Sequence, residues 1–443
     1  MWLSAMAGPG SRSALNLIRD FGDAEGVYKA KASEIEKKGS VTDKRVLSRL
    51  DYKDLSETEN ILEWCDKNGV RIMVPTDADY PDGLKDLQDA PMALYVLGDL
   101  PDIDNTLCCA VVGTRNMSEY GKETAYSIGS GLADGGACIV SGLALGIDGM
   151  AMAGAIEAGG KTVAVLGCGI DIVYPKEHEK LLRKVIENGA VITEYAPGVS
   201  PKGYHFPVRN RLISGLCQAV CVVEGNMRSG SLITARHALY QGRTLFSVPG
   251  RIGEEGSEGT NFLLRQGAIA ATGARDILSE FEFVYPHSLM LDMPVPHLSP
   301  DEAKEKLSVK SRAERKKNGK PKAEDQNDKN KSAVDTEPKK VKKKKSADKN
   351  PFPKKENERP KKKIELDTLS PEDIKVLEYM VPDVPMLAEE IAEGGFELSN
   401  VMVSLTLLEI AGAVEAGAGG YYLKRAADFG REPEYITEDD DGL

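Results

Sequence analysis

The sequence predicts an α/β protein: a doubly wound, Rossmann-type parallel sheet, with a small N-terminal helical domain and a C-terminal winged-helix-like domain. Three observations predict it. Residues 107–282 alternate short β-rich runs (CCAVV, ACIVS, TVAVLG, AVITEY, AVCVVEG, TLFSVPG) with helical segments. The near-continuous apolar character of those runs argues a parallel sheet covered on both faces. A length of 443 residues calls for two or three domains, and 41% hydrophobic residues suffice to build their cores.

In chain order, residues 1–66 read as short helices and a first domain, with a Gly8-Pro9-Gly10 turn between the first two. That turn reads either as an ordinary connection or as a helix-hairpin-helix turn offering N–H groups to a phosphate. Residues 67–285 form the α/β domain. Its lead-in, residues 70–105, alternates turn sequences such as YP and DAP with short apolar runs. Residues 286–363 are expected to be a disordered, Lys-rich linker, because they are Pro-studded and nearly free of aromatics. Residues 364–424 show three helical patterns and then GAVEAGAGGYYLK, which reads as a two-stranded wing. Residues 425–443 read as an acidic disordered tail.

The net charge of −12 conceals two opposite regions. Residues 303–363 carry 24 Lys and Arg against 10 Asp and Glu, or +14, which leaves −26 on the rest. A strongly acidic body does not hold nucleic acid by bulk attraction, so a nucleic-acid site must be a local cationic patch. The winged-helix region has only Lys375 and Lys424 against 12 acidic residues. Its candidate groove helix, from Leu398 to Ala411, has no Lys or Arg. Reading of duplex DNA by that helix is disfavoured and a protein contact is favoured. Seven cysteines without a C-x-x-C pair, and five histidines without metal-ligand spacing, predict neither disulfides nor a metal. A cytoplasmic protein without leader peptide or membrane span is expected.

The residues with chemical potential cluster at strand ends. Val112-Gly113-Thr114-Arg115 closes the first strand of the α/β domain. Gly113 and Thr114 would let backbone N–H groups approach a phosphate, and Arg115 adds charge. After the second strand, Ser141-Gly142 opens a run of small residues, read either as a phosphate cradle or as close helix–strand packing. The third loop, Gly167-Cys168-Gly169-Ile170-Asp171, leads to Tyr174-Pro175-Lys176. The richest stretch runs from Lys202 through Tyr204, His205 and Phe206 to Arg209-Asn210-Arg211. Rings beside cations are the elements of single-strand binding: rings stack on bases and cations follow phosphates. The competing reading pairs the arginines with Glu194 or Glu224 and packs Phe206 in the core. Ser229 and Ser231 are good helix N-caps, beside which an anion could also sit. The chain contains neither G-x-G-x-x-G nor a Walker A sequence, and no acid–base or nucleophile–His pair emerges. Binding rather than catalysis is expected, without a cofactor.

Together these strings resemble the DNA processing protein A (DprA/Smf) family. The matches are VGTR (112–115), SGLALGID (141–148), TVAVLGCGID with YP (162–175), TEY (193–195), FPVRNRLISGL (206–216), SGSLITA (229–235), GR (242–243), VPG (248–250) and GTN with GA (259–268). They cover roughly residues 70–282. The resemblance implies a recombination mediator, not an enzyme. Such a protein binds single-stranded DNA without sequence preference, protects incoming strands in natural transformation and loads the RecA recombinase. It also implies a homodimer, and DNA-contacting roles for Arg115, Lys176, Lys202 and Phe206. Arg209, Arg211, Gly113, Thr114, Ser141 and Gly142 complete the candidate DNA-binding set. The chain departs from the family at Ala151-Met152, where Ala-His is frequent, at His178, where Asn is usual, and in its long Lys-rich segment. Two readings of other classes compete. A lysine-decarboxylase-like phosphoribohydrolase, a nucleotide-processing enzyme, would need a PGG-x-GT loop, and VPGRIGEEGSEGT lacks that pattern. An adaptor would act chiefly through the acidic winged helix.

Overall fold

The computed structural model describes residues 1–39, 41, 44–286, 288–290, 299–310, 370–380, 386–392, 394–396, 398–410, 413–416 and 421–424. The central sheet has nine strands: β1 (Arg71–Met73), β2 (Leu94–Gly98), β3 (Cys108–Val112), β4 (Cys138–Ser141), β5 (Thr162–Val165), β6 (Gly189–Thr193), β7 (Ala219–Val222), β8 (Thr244–Ser247) and β9 (Ile269–Ala270). Their order is β1-β2-β6-β5-β4-β3-β7-β8-β9. From β6 to β9 the strands run parallel, while β2 lies antiparallel to both β6 and β1. The lead-in thus becomes the antiparallel edge. The order reverses between β3 and β7, which places a ligand crevice at the carboxyl ends of the central strands.

The apolar runs are explained by burial on both faces. On β3, Cys109 and Val111 enter one core, while Cys108, Ala110 and Val112 enter the other. Helix α8 (Glu119–Asp134) follows β3 and packs on α9 (Ile147–Glu157). The two approach closely because Gly129 faces the Ala151 carbonyl and Gly154 faces that of Tyr126. Helices α10 (Glu179–Asn188), α11 (His205–Gly215) and α12 (Gly230–Tyr240) follow β5, β6 and β7 respectively, with α13 (Glu255–Arg265) and α14 (Ala274–Phe281) completing the layers.

Five N-terminal helices lie over residues 2–50 and bury Leu17, Val27, Ile35 and Leu50 in a core of their own. The Gly8-Pro9-Gly10 turn has Gly8 and Gly10 at φ 80° and 73°. It does not offer its Gly10 N–H to a phosphate: that group points at the Glu194 carboxylate (3.4 Å), and Gly10 packs on Val208.

The expected tether is corrected at its start. Residues 300–306 form a helix, α15 (Pro300–Lys306), against α8 and α9, and Leu307 and Val309 are fully buried in the α/β core. Lys122, itself buried, pairs with Glu119 and Asp301, and Lys306 pairs with Glu157 at 2.8 Å. Counting lysines over the whole segment hid two apolar residues and an acidic helical first turn that meet complementary partners. The rest of the Lys-rich segment and the acidic tail lie outside the described residues.

The C-terminal unit contains α16 (Pro371–Tyr379), α17 (Ala388–Ala392), α18 (Leu398–Ile410) and strands β10 (Met386–Leu387), β11 (Val414–Ala416) and β12 (Tyr421–Lys424). The wing gains a third strand, in the order β10-β12-β11. Helix α18 packs on α12. Between them the buried Arg236 donates to the Tyr422 hydroxyl (3.0 Å) and to Glu409 (3.3 Å). The candidate groove helix is therefore an intrachain contact surface. No helix among the described residues is long and apolar enough to cross a membrane.

Candidate nucleic-acid interface

A cleft of about 120 Å³ opens at the carboxyl ends of β3, β4 and β5. Its floor is Arg209. The sequence places this arginine one turn into α11, and the fold then buries it to 4% exposure between two strand ends. Its Nη1 donates to the carbonyls of Gly142 (2.9 Å) and Val165, and its Nε donates to Asn210 Oδ1 (3.1 Å). Gly142 is required here, because a Cβ would lie 2.6 Å from the guanidinium. Burial lowers the Arg209 pKa to about 10, against the pull of Asp148. It therefore stays charged at neutral pH. The Asp148 carboxyl is itself pushed up by burial, against the attraction of Arg209 and the Gly142 N–H, which donates to it at 3.0 Å.

One wall is aromatic. Phe206, half-buried at the start of α11, stacks on Tyr174 with ring centroids 5.4 Å apart and planes 28° apart. Gly167 makes room, since a Cβ there would meet the Phe206 ring at 2.9 Å. The guanidinium of Arg115 stands 5.2 Å from the Phe206 centroid, and that of Arg209 stands 5.8 Å away. Both lie within cation–π range. Lys176, next to the lining residue Pro175, is exposed. Lys202 is also exposed, with its ammonium 5.9 Å from the Tyr204 ring.

The structure thus brings together Arg115, Phe206, Arg209 and Gly142, with Lys176 at the rim. Four sequence-predicted residues are corrected. Arg211 faces the other way: it is 2% exposed, bonded to Glu194 at 2.7 Å and 3.2 Å from Asp89, beneath the N-terminal turn. Ser141 is buried and donates its hydroxyl to the Val111 carbonyl (2.7 Å). The Thr114 N–H donates to the Glu224 carbonyl (2.7 Å), so it is not free for a phosphate. Gly113 serves packing, because a Cβ would meet Glu224 O and Ile147 Cγ1 at 2.7 Å. These groups close strand on helix within the chain. The helix start at Ser229 is likewise engaged: Ser229 caps Ser231, and the adjacent Arg228 bonds Ser370 (2.8 Å) and Glu372. Sequence reasoning missed Tyr174 as the ring partner of Phe206, although a tyrosine beside a strand-end proline was a usable signal.

Fold and cleft define a doubly wound α/β protein that carries a cation- and ring-lined site on the carboxyl edge of its sheet. The family described as "DNA recombination-mediator protein A" matches residues 71–282. DNA processing protein DprA of Streptococcus pneumoniae is 44% identical over 204 residues, 46% of this chain and 72% of that protein. Protein Smf of Escherichia coli is 44% identical over 213 residues, 48% of this chain and 57% of that protein. A solved structure of DprA from Streptococcus pneumoniae superposes with a TM-score of 0.56 at 34% identity, covering 64% of this chain and 96% of that one. The chain belongs to the DprA/Smf family of DNA recombination mediators.

Proposed function

We propose that this chain binds single-stranded DNA, without sequence preference, in the cleft at the carboxyl edge of its sheet, and passes that strand to RecA. The observation that carries the reading is the group of Arg115, Phe206 and Tyr174 above the buried charge of Arg209. Rings offer faces to unstacked bases and cations offer charge to the phosphates between them, which suits a single strand of any sequence. The cleft is small. Small-molecule sites usually reach roughly 300–1,000 Å³, whereas about 120 Å³ holds one phosphate or a base edge. Such a site suits one unit of a long ligand. Lys176 and Lys202 extend the cationic path. The docked, Lys- and Arg-free α18 argues against duplex reading. Delivery to RecA, action as a homodimer and a cytoplasmic site rest on the family resemblance.

The test is a gel-shift series with single-stranded, duplex and tailed DNA at several salt concentrations. Single-strand affinity should exceed duplex affinity and fall steeply as salt rises. Equal affinity for duplex would sink the proposal.

A further inference from the structure

The strap over residues 299–310 reaches the back of the loop that lines one side of the cleft. Lys310 accepts a hydrogen bond from the Gly146 N–H at its carbonyl (2.9 Å), and its own N–H donates to His178 Nε2 (3.2 Å). His178 in turn contacts the Leu143 carbonyl through Nδ1 (3.1 Å). Because Nε2 accepts, Nδ1 carries the proton and donates. Leu143 is a non-glycine residue at φ 55°, so its backbone is strained and needs outside support. The loop held in this way carries Gly142, Ala144 and Leu145, which line the cleft. Gly146 also abuts the first cation of the site: a Cβ on it would lie 2.9 Å from the Arg115 Cα. The Val309 side chain is fully buried and fixes the approach of the strap. The Lys310 side chain is half-buried and makes no ion pair among the described residues.

We propose that Lys310, which lies outside the family-matched region, is a DNA-contacting cation of this site and meets a backbone phosphate beside Arg115. Its main chain is bonded to Gly146 and His178, so its Cα is held next to the 143–146 loop whatever its side chain does. Its four-carbon stem then gives the ammonium the reach to follow a phosphate. The proposal rests on the single-strand reading above.

The test uses the full chain and a labelled oligothymidine strand, titrated at several salt concentrations, with thermal melting alongside. Lys310→Ala should weaken binding several-fold at low salt. It should also make the slope of log affinity against log salt shallower by about 0.7, the value of one single-strand phosphate contact. Melting should be unchanged, because the clamp uses backbone groups. Lys310→Arg should keep wild-type affinity. Wild-type affinity and slope in Lys310→Ala, or a loss with an unchanged slope, overturns the proposal. Arg115→Ala separates the two claims. If it weakens binding while Lys310→Ala does not, only the role of Lys310 falls. If neither weakens binding, the single-strand reading falls with it.

Discussion

The two sides of α11 each bury an arginine, and the two arginines have opposite electrostatic fates. On the back, burial opposes the Arg211 charge, but Glu194 and Asp89 outweigh it and hold its pKa above the ordinary value. On the front, burial prevails over Asp148 and brings Arg209 down to about 10. Arg211 is over-compensated and joins the N-terminal turn to the sheet. Arg209 faces one carboxylate, Asp148, and is the less compensated of the two. The difference teaches that burial alone does not set the charge balance of a buried arginine. The count of facing carboxylates does.

The strongest way to break this comparison is to remove each arginine. Arg211→Ala strands Glu194 as a buried, unpaired carboxylate and should cost about 3–5 kcal/mol in urea unfolding. DNA affinity per folded molecule should stay unchanged. Arg209→Ala should lower both stability and affinity. If Arg211→Ala lost affinity while keeping stability, the front and back assignments would be reversed.

Acid acts on both sides: burial lowers His178 on the front and also His237, which faces Arg236 and Arg211, on the back. Burial holds the His178 pKa at about 4, below its ordinary 6.5, and its Nε2 must stay unprotonated to accept from Lys310. As pH falls, the unfolded chain takes up the proton first. The contribution is complete above about pH 6.5 and is lost as pH falls toward 4, an effect of about 3 kcal/mol. His205, whose pKa burial also lowers, adds in the same direction. His178→Asn should make the pH profile of the urea midpoint shallower, with His205 and His237 supplying the dependence that remains. An unchanged profile would show that His178 is not the group responsible.

The smallest effect sharpens the role of the front wall. Phe206→Ala should weaken single-strand binding by about 1–3 kcal/mol, the value of one stacked base. Melting should change less than the roughly 3–5 kcal/mol loss of a core phenylalanine implies. Phe206→Leu should also lose affinity, since leucine has no π-face. A deep fall in melting with affinity intact would make Phe206 a wall residue only.

Much of this was legible because it is periodic or local. The alternation of apolar runs and helices located β3 to β8, since a strand buried on both faces has no polar face to show. The Arg-Asn-Arg spacing itself implies opposite sides of a helix, because residues two apart are turned by about 200°. The pairing with Glu194 was among the readings weighed for both arginines. Which arginine would take it depended on where the N-terminal turn docks. The phosphate-cradle reading of Gly113, Thr114 and Ser141 failed for a similar reason. Glycine and hydroxyl residues at a strand end serve close packing as readily as anions, and only the third dimension shows which groups are already bonded.

By itself, then, the sequence determined the parallel α/β architecture, the order of its loops along one sheet edge, and the presence there of Arg115, Phe206 and Arg209. Tertiary structure alone decided that Tyr174 stacks on Phe206, that Arg211 turns away, and that the Lys310 carbonyl meets the Gly146 N–H from 164 positions along the chain. Periodicity is a property of neighbouring residues and survives in a linear string. The meeting of charges and rings across long separations depends on which layers pack together, and the local pattern of the chain does not contain that information.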